Sequence, residues 1–296
     1  MRSVVKASVT KMSLDAEGDT KTHMIDGVRQ PIATTAKHLQ DLQMFEIVED
    51  DVVVMTSPKS GTTWMQEIVS VLMYGCDVEK AKQEYIEKRW MFIDFPFQTE
   101  GVSSPRLIKT HLNPQAIPPH IKEKKPKIIF VSRNPKDTAV SFFFFHKTGK
   151  HLPTYESWTE FLNDFCAGNL IRGDWFAMNS YWWSQRNDKN VLFVKYEDMK
   201  RNLSEVVEKV ASFLGWTIPD GKLPELLQHC SFESMRSNNK VNSSEDPLID
   251  TDKIPFMRKG TVGDWKNFFT VAQSEAFDQI YREKMAGTGL EYDYEL

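Results

Sequence analysis

Two rhythms of apolar positions divide this chain. The run Val52-Val53-Val54-Met55 is unbroken and largely β-branched, which suits a parallel strand buried on both faces. After the polar turn Thr56 to Thr63, Met65, Ile68, Val69, Leu72 and Met73 fall at i, i+3, i+4, i+7 and i+8, the spacing of one helix face. The same strand-then-helix pattern returns twice. Lys127 to Ser132 is an apolar strand followed by Arg133-Asn134-Pro135, in which Asn134 can cap a helix and Pro135 suits its first turn. Val191 to Val194 predicts another strand, ending at Lys195-Tyr196-Glu197-Asp198. Leu203, Val206, Val207, Val210, Phe213 and Leu214 then share one helical face, with Gly215 where a C-terminal cap belongs.

Helices are also predicted around Trp158, Phe161, Leu162 and Phe165 and around Phe176, Tyr181, Trp182 and Trp183, whose aromatics suit a core. Arg106 to Leu112 reads as a short strand with Lys109 and His111 on the same face. Ser237 to Lys259, rich in Asn, Ser and Pro, has little periodicity and reads as a long loop, of a length that is usually functional or disordered. Alternating βα units imply an α/β fold, a single domain with a central parallel sheet flanked by helices. Residues 1 to about 22 lack apolar periodicity. The expected division is therefore an N-terminal extension, partly flexible, over residues 1–40 and a main domain over residues 41–296.

The turn after the first strand has the makings of an anion cradle. Gly61 lets the backbone curl tightly, so the N–H groups of Ser60 to Thr63 have no intrahelical acceptors and are free for an anion. Lys59 adds a charge, and Thr62 and Thr63 add hydroxyls. In the common nucleotide-triphosphate loop the lysine follows the second glycine, whereas Lys59 precedes the only glycine here. Ligands of open parallel sheets bind beyond the carboxyl ends of the strands, which sets Lys59, Arg133 and Tyr196 along one rim. Ser141 lies two helical turns past Arg133. Phe256-Met257-Arg258-Lys259-Gly260 supplies two further cations before a glycine. For each of these an ordinary role is open: a serine-rich turn, a solvated arginine, a hydroxyl capping helical carbonyls. A histidine near neutral pKa can take a proton while lysine stabilises negative charge, which makes His111 and Lys109 candidates, with His146 the nearest rival.

Composition narrows the classes. The 296 residues are 41% hydrophobic with a formal net charge of -4, which gives no support to broad nucleic-acid binding. Cys76, Cys166 and Cys230 are odd in number and far apart, matching neither a disulfide framework nor a metal site. No run of 18 apolar residues occurs, and the start has no signal-peptide pattern. These features lead to the expectation of a cytoplasmic protein that binds neither membrane nor metal.

Four separated motifs resemble the cytosolic sulfotransferase family, which uses 3'-phosphoadenosine 5'-phosphosulfate (PAPS) and releases adenosine 3',5'-bisphosphate (PAP). Pro58-Lys59-Ser60-Gly61-Thr62-Thr63-Trp64 is similar to its P-loop-like phosphosulfate-binding loop, Lys109-Thr110-His111 to the segment with its catalytic base, Arg133 through Ser141 to its 3'-phosphate site, and Arg258 to Lys266 to its C-terminal donor signature. The resemblance implies that Lys59 and the amides of Ser60 to Thr63 hold the 5'-phosphosulfate and that Trp64 lies by the adenine. Arg133, Ser141, Arg258, Lys259 and Gly260, flanked by Phe256 and Met257, would bind the 3'-phosphate, and Tyr196 would steady the nucleotide. Cys230, Ser231, Phe232 and Met235 match a segment that touches the adenine, although Cys230 replaces a frequent threonine with a poorer donor. His111 is implied as the base, with Lys59 at the leaving group and Lys109 at the sulfonate oxygens. Phe92, Phe95 and Phe145 would line, with Lys109 and His111, a site for a small hydrophobic phenol, steroid, alcohol or amine. Lys266 to Glu275 resembles the family's dimerisation motif and implies a homodimer. Two rivals stand beside this: a nucleotide kinase, which wants the lysine after the glycines, and a silent nucleotide-binding dimer, which would lack the base.

Overall fold

The computed structural model describes residues 21–97 and 104–296. Its centre is a five-stranded parallel sheet. Seven strands occur among the described residues: β1 (Thr22–Ile25), β2 (Val28–Pro31), β3 (Val52–Thr56), β4 (Met91–Phe92), β5 (Leu107–Thr110), β6 (Lys127–Ser132) and β7 (Val191–Lys195). The sheet order is β4-β5-β3-β6-β7, with β3 central, and β1 and β2 form a separate antiparallel hairpin. Val54 lies opposite Lys109 on one side and Ile129 on the other, so the carboxyl ends of β3, β5, β6 and β7 share one rim.

The unbroken apolar run of β3 is explained by burial on both faces. Val52 and Val54 join Met65, Ile68, Val69, Ile129 and Val131 in one core layer, while Val53 and Met55 join Ile108, Ile128, Phe130 and Trp182 in the other. Each such side chain contributes roughly 1.5–3 kcal/mol on burial. A third, aromatic cluster of Phe142, Phe161, Phe165, Phe176 and Phe277 packs beyond the sheet. The caps expected from the residues are present: the Asn134 side chain accepts from the Asp137 N–H at the start of helix Pro135–Thr148, and Gly215 ends helix Leu203–Leu214 at φ 74°.

Two expectations gain detail. Within residues 1–40, positions 1–20 lie outside the described residues. Thr22 to Leu42 form the hairpin and helix Ala36–Leu42, so residue 40 falls inside a helix. The Ser237–Lys259 stretch holds no strand or helix after residue 237, only an isolated bridge between Gly149 and Ile249. Among the described residues no helix is long and apolar enough to cross a membrane, and no group of His, Cys, Asp and Glu has the arrangement of a metal site.

Candidate active site

Beyond that rim lies a cavity of about 600 Å³. Of the expected site residues, Lys59, Gly61 to Trp64, Phe92, Phe95, Lys109, His111, Arg133, Ser141, Phe145, Tyr196, Phe232, Met235 and Phe256 to Gly260 all line it. Ser60, Cys230 and Ser231 do not. Ser60 is fully buried under the loop, and its Oγ has no partner among the described residues. The Cys230 side chain is also fully buried, and the carbonyl of that residue accepts the Trp64 indole N–H at 2.8 Å. The Ser231 hydroxyl caps helix Phe232–Ser237 by accepting from the Ser234 N–H. These two therefore hold the wall in place rather than line the cavity.

The loop takes its shape from two left-handed residues. Gly61 sits at φ 108° and Lys59 at φ 69°, a conformation that costs a non-glycine residue about 1–2 kcal/mol. At Gly61 a Cβ would meet the Tyr196 ring at 2.9 Å. Helix Thr62–Met73 starts immediately after, so its orphan N–H groups face the cavity end of the loop. The Lys59 ammonium lies 3.7 Å from the Phe256 ring centroid and 4.4 Å from that of Phe145. Burial, reinforced by Arg133, Lys109 and Arg258, lowers its pKa to about 7.

The second phosphate-sized concentration of charge is built from three elements. Arg133 donates to the Thr261 carbonyl at 2.9 Å and stacks 4.4 Å from the Tyr196 ring, while its Nε is buried without a partner. Arg258 and Lys259 both bond the Asp264 carboxylate, Lys259 at 2.5 Å. Gly260 is forced: at φ 65° a Cβ would stand 2.2 Å from the Phe232 ring. Three buried acids that composition alone did not single out organise this region. Asp137 accepts from the backbone N–H of Gly263 at 2.8 Å and of Trp265 at 2.9 Å, tying the Arg258 segment to helix Pro135–Thr148. Glu197, pushed up to about 7 by burial, accepts from the Asn134 N–H at 2.8 Å and so fixes the turn after Arg133. Asp94, fully buried, accepts from the backbone N–H of His111. Asp137 falls inside the Arg133–Ser141 motif and Glu197 follows Tyr196, whereas Asp94 has no sequence signal beyond its place before Phe95.

His111 stands where β5 ends. Its Nδ1 lies 2.9 Å from the Thr56 carbonyl oxygen, which can only accept, and 3.1 Å from the Thr56 hydroxyl; the shorter carbonyl contact favours the tautomer with the proton on Nδ1 and Nε2 bare. Burial lowers its pKa to about 4, against the raising pull of Asp94, which leaves the imidazole neutral at physiological pH. Its ring meets Phe92 edge-on at 5.5 Å, and the Lys109 ammonium sits 3.9 Å above the same Phe92. His146, the rival, has its Nδ1 against the Pro153 carbonyl at 2.8 Å and packs among Phe142, Tyr155 and Phe161, away from the cavity.

A neutral acceptor of protons, a cationic loop at a helix start and a separate cationic cluster thus share one chamber. The sulfotransferase domain family matches residues 49–289. The chain belongs to that family. Human sulfotransferase 1C2 is 40% identical over 88% of this chain and 92% of its own length, and dog sulfotransferase 1B1 is 39% identical over 90% and 93%. Mouse sulfotransferase SULT7A1, solved in complex with PAP, superposes with a TM-score of 0.78 at 31% identity, covering 90% of this chain and 95% of that one. The protein is accordingly an enzyme of the sulfotransferase class. The rival kinase reading falls away with the family match.

Proposed function

We propose that this sulfotransferase moves a sulfuryl group from PAPS to a hydroxyl or amine of a small hydrophobic acceptor, with His111 as general base. The observation that carries it is the bare Nε2 of a neutral His111 in the same cavity as Lys59, Arg133, Arg258 and Lys259. Two orphaned buried polar atoms, Ser60 Oγ and Arg133 Nε, support anion binding at both the 5' and 3' ends of the donor. Lys59 and the amides of Ser60 to Thr63 would hold the 5' end. Arg133, Ser141, Arg258, Lys259 and Gly260 would hold the 3'-phosphate, with Trp64 and Phe232 flanking the adenine.

The donor supplies the activated sulfuryl group; the chain supplies alignment and charge. His111 Nε2 takes the acceptor's proton as the acceptor oxygen attacks sulfur. Lys59 then stabilises the phosphate that leaves, and Lys109 the sulfonate oxygens. A polyanion beside His111 would oppose the lowering of its pKa by burial, because nearby negative charge favours the imidazolium. The aromatic end, with Phe92, Phe95 and Phe145, favours a flat phenolic or steroid-like acceptor. We further place the enzyme in the cytoplasm as a homodimer through Lys266–Glu275, a segment in which Val271 is 76% exposed; a monomeric mass in sedimentation would remove the dimer.

The test is transfer of radiolabelled sulfate from PAPS to a panel of phenols, steroids, alcohols and amines with chelator present. Label should reach at least one acceptor class. PAP binding without transfer to any acceptor would instead mark a silent nucleotide-binding protein.

A further inference from the structure

The base is held by a buried ion pair, Asp94 with Arg172, at the wall of the cavity. Asp94 follows β4 and is fully buried; the Arg172 side chain is 3% exposed, and its Nε lies 3.2 Å from Asp94 Oδ2. The carboxylate also accepts from the Thr110 hydroxyl at 2.6 Å and from the backbone N–H of His111 at 3.1 and 3.2 Å to its two oxygens. Thr110 Oγ1 in turn accepts from the Leu112 N–H at 3.0 Å. The backbone on both sides of the imidazole is therefore fixed by one carboxylate. The ring is then pinned at its other end by the Thr56 carbonyl.

Arg172 is itself held from the N-terminal hairpin. It donates to Gln30 Oε1 at 2.6 Å and to Thr34 Oγ1 at 3.2 Å, and its backbone N–H donates to the Arg29 carbonyl. Thr34 closes the circuit by donating its hydroxyl proton to the Asp94 carbonyl at 2.8 Å. The guanidinium also lies 5.2 Å from the Phe95 ring, which meets Phe92 edge-on at 5.0 Å. One network thus joins the base to the aromatic wall and to residues far away in sequence.

We propose that Asp94 and Arg172 are positioning residues for His111, fixing its backbone and hence the aim of Nε2, with Gln30 and Thr34 bracing the arginine. The inference rests on His111 being the base. Stability alone is a poor account of such a pair, because apolar residues of similar volume commonly serve a core as well or better. Here the carboxylate's lone pairs go to the two residues that set the imidazole. A misplacement of about 1 Å at a reacting group costs on the order of 10²-fold in rate.

The experiment measures kcat with an aliphatic alcohol and with a phenol acidified by a nitro group, together with PAP affinity by calorimetry, for four proteins beside wild type. They are Asp94→Asn, Arg172→Lys, the double variant Asp94→Asn/Arg172→Gln, and His111→Ala. The double variant leaves no uncompensated charge, so it remains informative where the single change fails to fold. Asp94→Asn and the double variant should keep PAP affinity and lose about 10²-fold in kcat with the alcohol. The loss should be smaller with the nitrophenol, which needs less help from a base. Arg172→Lys, keeping the charge opposite Asp94, should recover much of the rate. Equal fractional losses with both acceptors, or wild-type kcat in the double variant while His111→Ala is inactive, would overturn the positioning role and leave the base standing. Full turnover in His111→Ala would overturn the base, and the positioning role with it.

Discussion

The two ends of the cavity are made differently. The cationic end is built from short continuous segments: the Pro58–Trp64 loop, the Arg133–Ser141 turn and helix, and Phe256 to Gly260, each set by a strand end, a cap or a glycine. The aromatic end is assembled from pieces that are remote from each other. Ile32 of the segment after β2, Ile86, Phe92, Phe95, His151, Ile171 and the Asp246–Ile249 stretch all meet there. Phosphate chemistry demands backbone amides and fixed charges, so it leaves local motifs. An apolar chamber demands only volume, which many sequences can supply.

That contrast is sharpest at His111, which stands between the two ends. Replacing His111 with Ala should lower kcat by about 10²–10⁴-fold while PAP affinity stays near wild type. A parallel collapse of PAP binding, measured by calorimetry, would show that the two ends are not separable.

The next largest effect concerns pH. Free Lys59 titrates at about 7, below its unfolded value, so between about 7 and 10.5 the folded ligand-free protein lacks a proton that the PAP complex requires. PAP affinity should therefore fall by up to about tenfold per pH unit above 7, with proton uptake visible in buffers of different ionisation enthalpy. Affinity that is flat from pH 7 to 9 would remove Lys59 from the donor's charge balance. His111 is shifted in the same direction, and its effect is on stability. Its folded pKa of about 4 lies below the ordinary 6.5, so its contribution to stability is present above 6.5 and is lost as pH falls toward 4.

A smaller effect separates the ends by sterics. Gly260→Ala places a Cβ against Phe232 at a positive φ, and should weaken PAP binding by roughly 1–3 kcal/mol. Leu248→Ala, a change at the exposed mouth of the aromatic end, should alter only acceptor KM. If both variants changed the same parameter, the division between the ends would fail.

Much of this architecture was legible in the residues. The unbroken run of β3, the capped turn after β6, the apolar run of β7 and the helical stripe after Gly61 all follow from period and cap chemistry, and they place the loop, Arg133 and Tyr196 on one rim. Other features were not. β4 is only two residues long and gives no periodic signal. Asp94, Arg172, Gln30 and Thr34 find each other only in the folded chain, since a buried ion pair has no local pattern. The segment read as an extension contains two of those four, because a four-residue hairpin strand with a mixed sequence such as Val28-Arg29-Gln30-Pro31 looks like a loop. Cys230 was expected to touch the adenine through its thiol, whereas its side chain is buried away from the cavity and its carbonyl holds Trp64.

The proposed clamp has two anion sites, one for each end of the donor. Calorimetric titration of PAP and of adenosine 5'-monophosphate, at equal ionic strength, tests it most directly. PAP should bind far more tightly than the monophosphate, and Arg258→Ala should erase most of that difference. Equal affinities for the two nucleotides in the wild-type protein would contradict the clamp.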